Sequence, residues 1–173
     1  MLIALCIDRL IGWPDFLFRR FSHPVVGIGH LISFFERHLN KTTWSTSLRR
    51  TTGFLTLLFL MVGFAILGFF ILLLIPEGPL GVLVTSLLVW PFVAAKSLAN
   101  HVEAVAEPLV THDLKAARHA VSMIVGRNSN NLDSNGIARA ALESLAENTS
   151  DGVTAPLFWG VLLGFPGVLI YKF

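Results

Sequence analysis

Charge is scarce in this sequence. Asp, Glu, Lys and Arg make up 14% of the 173 residues, while 54% are hydrophobic. That balance lies outside the range of ordinary soluble domains and points to a membrane protein. The net charge of +2 is too small, and the basic residues too dispersed, for a nucleic-acid-binding surface. Cysteine is nearly absent. The lone Cys6 excludes an internal disulfide and any multi-cysteine metal site. There is no Walker-type glycine loop and no internal repeat. The first apolar stretch has no basic region ahead of it and contains Asp8 and Arg9, so it does not read as a signal peptide, and retention of the N-terminus is expected. His23, His30 and His38 have neither i,i+4 spacing nor an acidic or cysteine companion, so they do not read as a metal site.

What remains is a series of apolar segments separated by turn signals. Residues 1–11 are helix-compatible but too short to cross about 30 Å of hydrocarbon, and Gly12, Trp13, Pro14 and Asp15 end them. His23-Pro24 opens an amphipathic helix whose stripe is Ile28, Leu31, Ile32, Phe35 and Leu39. Residues 40–52 read as a polar, basic linker. Residues 53–75 carry no charge and at 1.5 Å per residue reach roughly 34 Å, a full crossing. Pro76-Glu77-Gly78-Pro79 is a tight turn, and the spacing predicts a return over 79–95, bent at Trp90-Pro91. Seven Lys and Arg residues precede Gly53, five lie between Lys96 and Asp151, and the turn has none. The positive-inside rule therefore places both flanks in the cytoplasm.

Residues 96–151 read as a cytoplasmic helical insert. One helix is expected to stop at Pro108, Thr111 to cap the next, Gly126 to end that one in left-handed geometry, and Asp133 to cap a third. Residues 152–171, interrupted by Pro156 and Pro166, read as a third, broken membrane segment. The expected fold is all-α: a polytopic integral membrane protein with spans at about 53–75, 79–95 and 152–171.

The densest chemistry lies at Gly136–Gly152. Arg139, Glu143, Glu147 and Asp151 recur every four residues, so a helix would line them along one face, and Asn148 to Gly152 offer the turn chemistry to end it. An exposed i,i+4 ion pair on a solvated face is the plain interpretation. Against it stands the position of these groups beside a hydrophobic segment, where charge is usually paired, metal-bound or functional.

The chain resembles the CobD/CbiB family of cobalamin biosynthesis, adenosylcobinamide-phosphate synthases. The resemblance rests on Asp8-Arg-Leu-Ile-Gly12, His23-Pro-Val-Val-Gly-Ile-Gly29, Ser97-Leu-Ala-Asn-His101, Ile124-Val-Gly-Arg127 and, above all, Ala138 through Gly152 into Ala155-Pro-Leu-Phe-Trp159. Two departures stand out: Trp13 replaces the family's usual Gly-Asp-Pro pattern, and the family pattern continues beyond Tyr171-Lys172, so the chain resembles an N-terminal part.

The resemblance implies amide-bond formation between adenosylcobyric acid and aminopropanol or its phosphate, driven by ATP with Mg²⁺ and without a tightly held cofactor. For such a reaction Glu143, Glu147 and Asp151 are hard oxygen ligands suited to Mg²⁺, and Arg139 and Asn148 complete the expected catalytic set. Arg127, His23 and His101 are then substrate- or phosphate-binding. Expected partners are the corrinoid, the amine, the bilayer, and either a second copy or a C-terminal complement. The expected location is the inner membrane, with the site facing the cytoplasm and no nucleic acid bound. A non-enzymatic sensor or scaffold of the AmpE-like type is the alternative. A transporter ranks below both, because residues 53–75 offer only Thr56 as a polar side chain.

Overall fold

The computed structural model describes residues 1–126 and 128–173, and for Asp15 and Phe21 the backbone alone. Among the described residues the regular structure is all helical, without strands. Helix α1 (Leu2–Ile11) ends at Gly12, whose φ of 68° only glycine adopts without strain. A short α2 (Asp15–Phe21) follows, and Ser22 stops it. Pro24 occupies the first turn of α3 (Pro24–Leu39), where its missing N–H costs nothing.

Helix α4 (Thr46–Leu74) starts earlier than the composition suggests. Ser45 caps it by accepting from the Leu48 N–H at 3.3 Å, so the linker shrinks to 40–45 and Arg49 and Arg50 sit in the first turns of the membrane helix. Helix α5 (Gly78–Val89) is a second difference. It gives way to a 3₁₀ turn at Trp90–Phe92, and Val93 is extended. Gly78–Val89 alone reaches only about 18 Å, short of the return crossing expected over 79–95.

Helix α6 (Ala95–Val110) runs through Pro108 instead of stopping there. A proline in the last turn removes a single bond, and Thr111 returns both its N–H and its hydroxyl to the Glu107 carbonyl. Asp113, not Thr111, caps α7 (Leu114–Ser122), accepting from the Ala116 N–H at 3.0 Å. The left-handed glycines are Gly12, Gly78 and Gly164, so Gly126 does not end α7 as expected. Asp133 caps α8 (Ser134–Thr149) through the Gly136 N–H at 2.7 Å, as the sequence indicates.

Beyond α8 the chain does not turn. It passes through a π-helical segment, Ser150–Thr154, closed by a bond from the Ala155 N–H to the Ser150 carbonyl, and continues into α9 (Ala155–Lys172). Gly152 keeps helical geometry within it. Helix α9 itself is sharply broken at Gly164 (φ 68°, ψ −156°).

Two cores organise these elements. Ala4, Ile28, Val89, Phe92, Phe165 and Val168 join α1, α3, α5 and α9. Val105, Ala117, Val121, Ile137 and Ala140 join α6, α7 and α8 into a separate cluster. Among the described residues, three stretches are long and apolar enough to cross a membrane: Thr46–Leu74, Gly78–Val110 and Ser134–Lys172. Only the first is a single uninterrupted helix.

Candidate functional site

The site is built where the start of α6 meets the end of α1 and the π segment. Helix α6 has no side-chain cap of its own. Its first N–H groups are satisfied from elsewhere: Ala94 donates to the Gly152 carbonyl at 3.0 Å, and Lys96 donates to Asp8 Oδ2 at 3.0 Å. In return Lys96 Nζ donates to the Leu10 and Ile11 carbonyls at 2.8 and 3.1 Å, and Trp90 Nε1 donates to the Gly12 carbonyl at 3.1 Å. Each helix end thus supplies what the other lacks. Asp8 is 3% exposed, and burial pushes its carboxyl above the usual carboxylate range, although the Lys96 and Ala95 backbone hydrogen bonds and the Lys96 charge pull the other way.

Three adjoining cavities follow this junction. The first, of about 400 Å³, is lined by Asp8, Trp13, His23, Lys96 and His101. The second, of about 290 Å³, shares Ala94, Ser97 and His101 with the first and adds Asn148 and Gly152. The third, of about 200 Å³, meets the second at Ile124 and is lined by Glu143, Ser144 and Glu147. Linked through these shared residues, they form a trough with His23, His101 and Asp8 toward one end and the Glu143–Glu147 pair at the other.

The hydrogen bonds set the character of each polar group. His23 Nδ1 accepts from the Val25 N–H at 3.3 Å, so in the neutral ring its proton is on Nε2. Burial, and then the nearby Lys172 charge, hold His23 below the usual imidazole range. His101 is the opposite tautomer. Its Nδ1 lies 2.7 Å from the Ser97 carbonyl, which can only accept, so Nδ1 donates and the neutral ring keeps a lone pair on Nε2. Ser144, 7% exposed, donates to the Ile124 carbonyl at 2.6 Å and ties α8 to the segment after α7. Asn148 Nδ2 donates to the Ser144 carbonyl and hydroxyl at 2.8 and 2.9 Å, leaving Asn148 Oδ1 as the acceptor its amide offers.

The strip of four charges is preserved only in part. Arg139, Glu143 and Glu147 keep their four-residue spacing on α8, all three exposed, and Glu143 and Glu147 line the third cavity together. Asp151 leaves the strip because the π segment inserts an extra residue into its turn. Its Oδ1 accepts from the Tyr171 hydroxyl at 3.1 Å, and its main-chain carbonyl accepts from Lys172 Nζ at 2.9 Å. Among the described residues no three His, Cys, Asp or Glu side chains converge as a metal site, so Glu143, Glu147 and Asp151 are not gathered as one ligand set. Arg127 lies outside the described residues.

Sequence reasoning overlooked Asp8, Lys96, Tyr171 and Lys172 as site residues. Asp8 carried a usable signal, a carboxylate in a helix that is apolar apart from it and the exposed Arg9, and one that must find donors when buried. Tyr171 and Lys172 carried none, being twenty residues from Asp151 along the chain.

Fold and site together define a helical protein of the membrane class, with a polar trough beside apolar segments. The family model described as CobD/Cbib protein matches residues 1–173, and the chain belongs to that family. It is 49% identical over 172 residues to a protein named Cobalamin biosynthesis protein CobD from Rhodobacter capsulatus, covering 99% of this chain and 54% of that protein. Proteins of the same name from a Sinorhizobium species and from Brucella suis biovar 1 are 47% and 44% identical, each over 171 residues. Those matches cover 98% of this chain and 53% and 52% of the relatives. The chain therefore spans about half the length of the curated relatives it matches. No solved structure matches it.

Proposed function

We propose that this chain supplies the N-terminal half of a membrane-bound enzyme of cobalamin biosynthesis that condenses a propionate of adenosylcobyric acid with the amine of aminopropanol or its phosphate. The name shared by the relatives supports the pathway. The observation that carries the chemistry is the trough, which joins a carboxylate pair to a histidine with an outward lone pair.

Condensing a carboxylate with an ammonium in water requires activation of the acid and deprotonation of the amine. The donor set fits the first requirement. Mg²⁺ is usually held by one or two carboxylates together with substrate phosphates, and Glu143 and Glu147 line one cavity within a helical turn of each other. Magnesium-bound ATP would supply the phosphoryl group that activates the propionate. His101 meets the second requirement. Its Nδ1–H is held by Ser97, so Nε2 takes the proton from the ammonium and leaves the amine lone pair free to attack the phosphorylated propionate, whose C–O bond to the phosphoryl group breaks and releases inorganic phosphate. Asn148 Oδ1 orients the amine N–H groups. His23, kept neutral with Nε2–H as donor, and Lys96 border the cavity beyond and suit the anionic end of a substrate.

The test places residues 1–173 in the position of the matching half of the Rhodobacter capsulatus relative and measures amide formation in membranes at matched protein levels. Glu147→Gln is expected to lower turnover by about 10²–10³-fold and His101→Gln by about 10²-fold or more. Rates within twofold of the unsubstituted protein for both would refute the enzymatic assignment of the trough and favour a scaffold.

A further inference from the structure

By composition α9 is a crossing; by geometry it is not. The outgoing limb continues from α8 through the π segment, but its uncharged part, from Gly152 to Leu163, reaches only about 18 Å at 1.5 Å per residue, well short of a hydrocarbon core of about 30 Å. At Gly164 the chain takes φ 68° and ψ −156°, and Pro166 follows without an N–H to continue the ladder. We propose that residues 155–172 form a re-entrant helical hairpin, with both of its ends on the same side of the bilayer.

Four further observations carry this. The limbs touch: a Cβ at Gly167 would strike the Trp159 carbonyl and lie 2.7 Å from Leu163 Cβ, and one at Gly160 would lie 3.0 Å from Val168 Cγ2. In one continuous helix, residues eight apart are separated by about 12 Å along the axis. The ends meet, since Tyr171 and Lys172 both bond Asp151.

The return limb runs backwards along α4. Gly164 lies beside Leu72, a Cβ at Gly68 would be 2.8 Å from Pro166 Cα, and the rings of Phe173 and Phe64 are 5.3 Å apart. As residue numbers rise on the hairpin, they fall on α4. Finally, the limbs differ in burial. Val161 and Leu162 on the outgoing limb are 72% and 57% exposed, as lipid-facing residues are, whereas Phe165, Val168 and Leu169 on the return limb are buried. Non-helical backbone at membrane depth is tolerated where protein covers it, and α4 covers this tip.

The topology follows: Tyr171 and Lys172 lie beside Asp151, so the hairpin ends where it began, and any chain beyond Phe173 starts next to the end of α8. The experiment uses the full chain with Cys6→Ser and cysteines introduced by Ser150→Cys and Phe173→Cys, reconstituted in lipid bilayers. Spin labels on the pair are expected to lie within about 20 Å. A continuous helix would separate them by roughly 34 Å. Single-cysteine versions are expected to react with an impermeant maleimide from the same side of oriented proteoliposomes. A distance near 34 Å, or labelling from opposite sides, would overturn the proposal.

Discussion

Asp8→Ala removes a single carboxylate from α1, yet its effect should be felt at the start of α6, where Asp8 Oδ2 takes the place of a cap that the local sequence does not provide. With Ala, the Lys96 N–H loses its partner in a site where Asp8 is 3% exposed. Losing a helix cap costs about 0.5–2 kcal/mol, and leaving a buried donor unpaired costs about 1–3 kcal/mol. These are the same event counted two ways, so the expected loss is about 1–3 kcal/mol, not their sum. Asp8→Asn keeps an oxygen acceptor and removes a charge that burial penalises, so it should cost less than about 1 kcal/mol or stabilise slightly.

The pH dependence separates the two contributions further. Because the folded carboxyl is raised above its ordinary value of 3.8, the native state binds the proton more tightly than the unfolded state. Stability should therefore fall as pH rises from 3.8 through the raised folded value, and Asp8→Asn should remove that slope. Denaturant titration in detergent micelles, followed by helical circular dichroism between pH 4 and 8, reads both effects. The reasoning would be refuted by Asn proving as damaging as Ala, or by Ala leaving the midpoint unchanged.

Three other outcomes follow from the same contacts. Gly68→Val should destabilise by about 1–3 kcal/mol, because its Cβ meets the Pro166 backbone; Gly63→Val, on the same helix with nothing within 4 Å, is the control, and equal midpoints would remove the hairpin from α4. His23 is held below its ordinary value of 6.5, so stability should drop as pH falls below 6.5 through the lowered folded value. A His23→Gln chain showing the same acid-side loss would contradict that assignment. Ser144→Ala should cost about 1–2 kcal/mol by leaving the Ile124 carbonyl without its donor, and an unchanged unfolding midpoint would argue against the tie between α8 and the segment after α7.

Local signals carried most of the fold. Gly12, Pro24 and Asp133 mark helix ends where the structure has them, because each acts through its own backbone or its nearest N–H groups. The uncharged run after Gly53 is equally legible, because its length alone decides whether it can cross. What escaped depends on groups distant in sequence. Asn148 to Gly152 have the composition of a turn, yet the helix continues through them, with the Gly152 carbonyl bonded to the Ala94 N–H.

Composition cannot distinguish a broken crossing from a reversal in residues 152–171, since both need apolar residues, a glycine and a proline. The difference lies in small residues, Gly68, Gly160 and Gly167, which let one limb approach the other and α4. Of the candidate site, the sequence named Glu143, Glu147, Asn148, His23 and His101, and the structure places all five along the trough. The shape of the site was not legible, because the regular spacing that put Asp151 on the face of Glu143 and Glu147 assumed an unbroken α-helix.

Amide formation itself is the most direct measurement of the central claim. Membranes holding residues 1–173 joined to the remaining half of the Rhodobacter capsulatus relative would be given adenosylcobyric acid, aminopropanol or its phosphate, Mg²⁺ and ATP, with corrinoid products resolved by mass. The account predicts a product carrying one aminopropanol unit, dependent on ATP and strongly reduced by Glu147→Gln. Correctly inserted protein that leaves adenosylcobyric acid unchanged, while the intact relative converts it, would contradict the account.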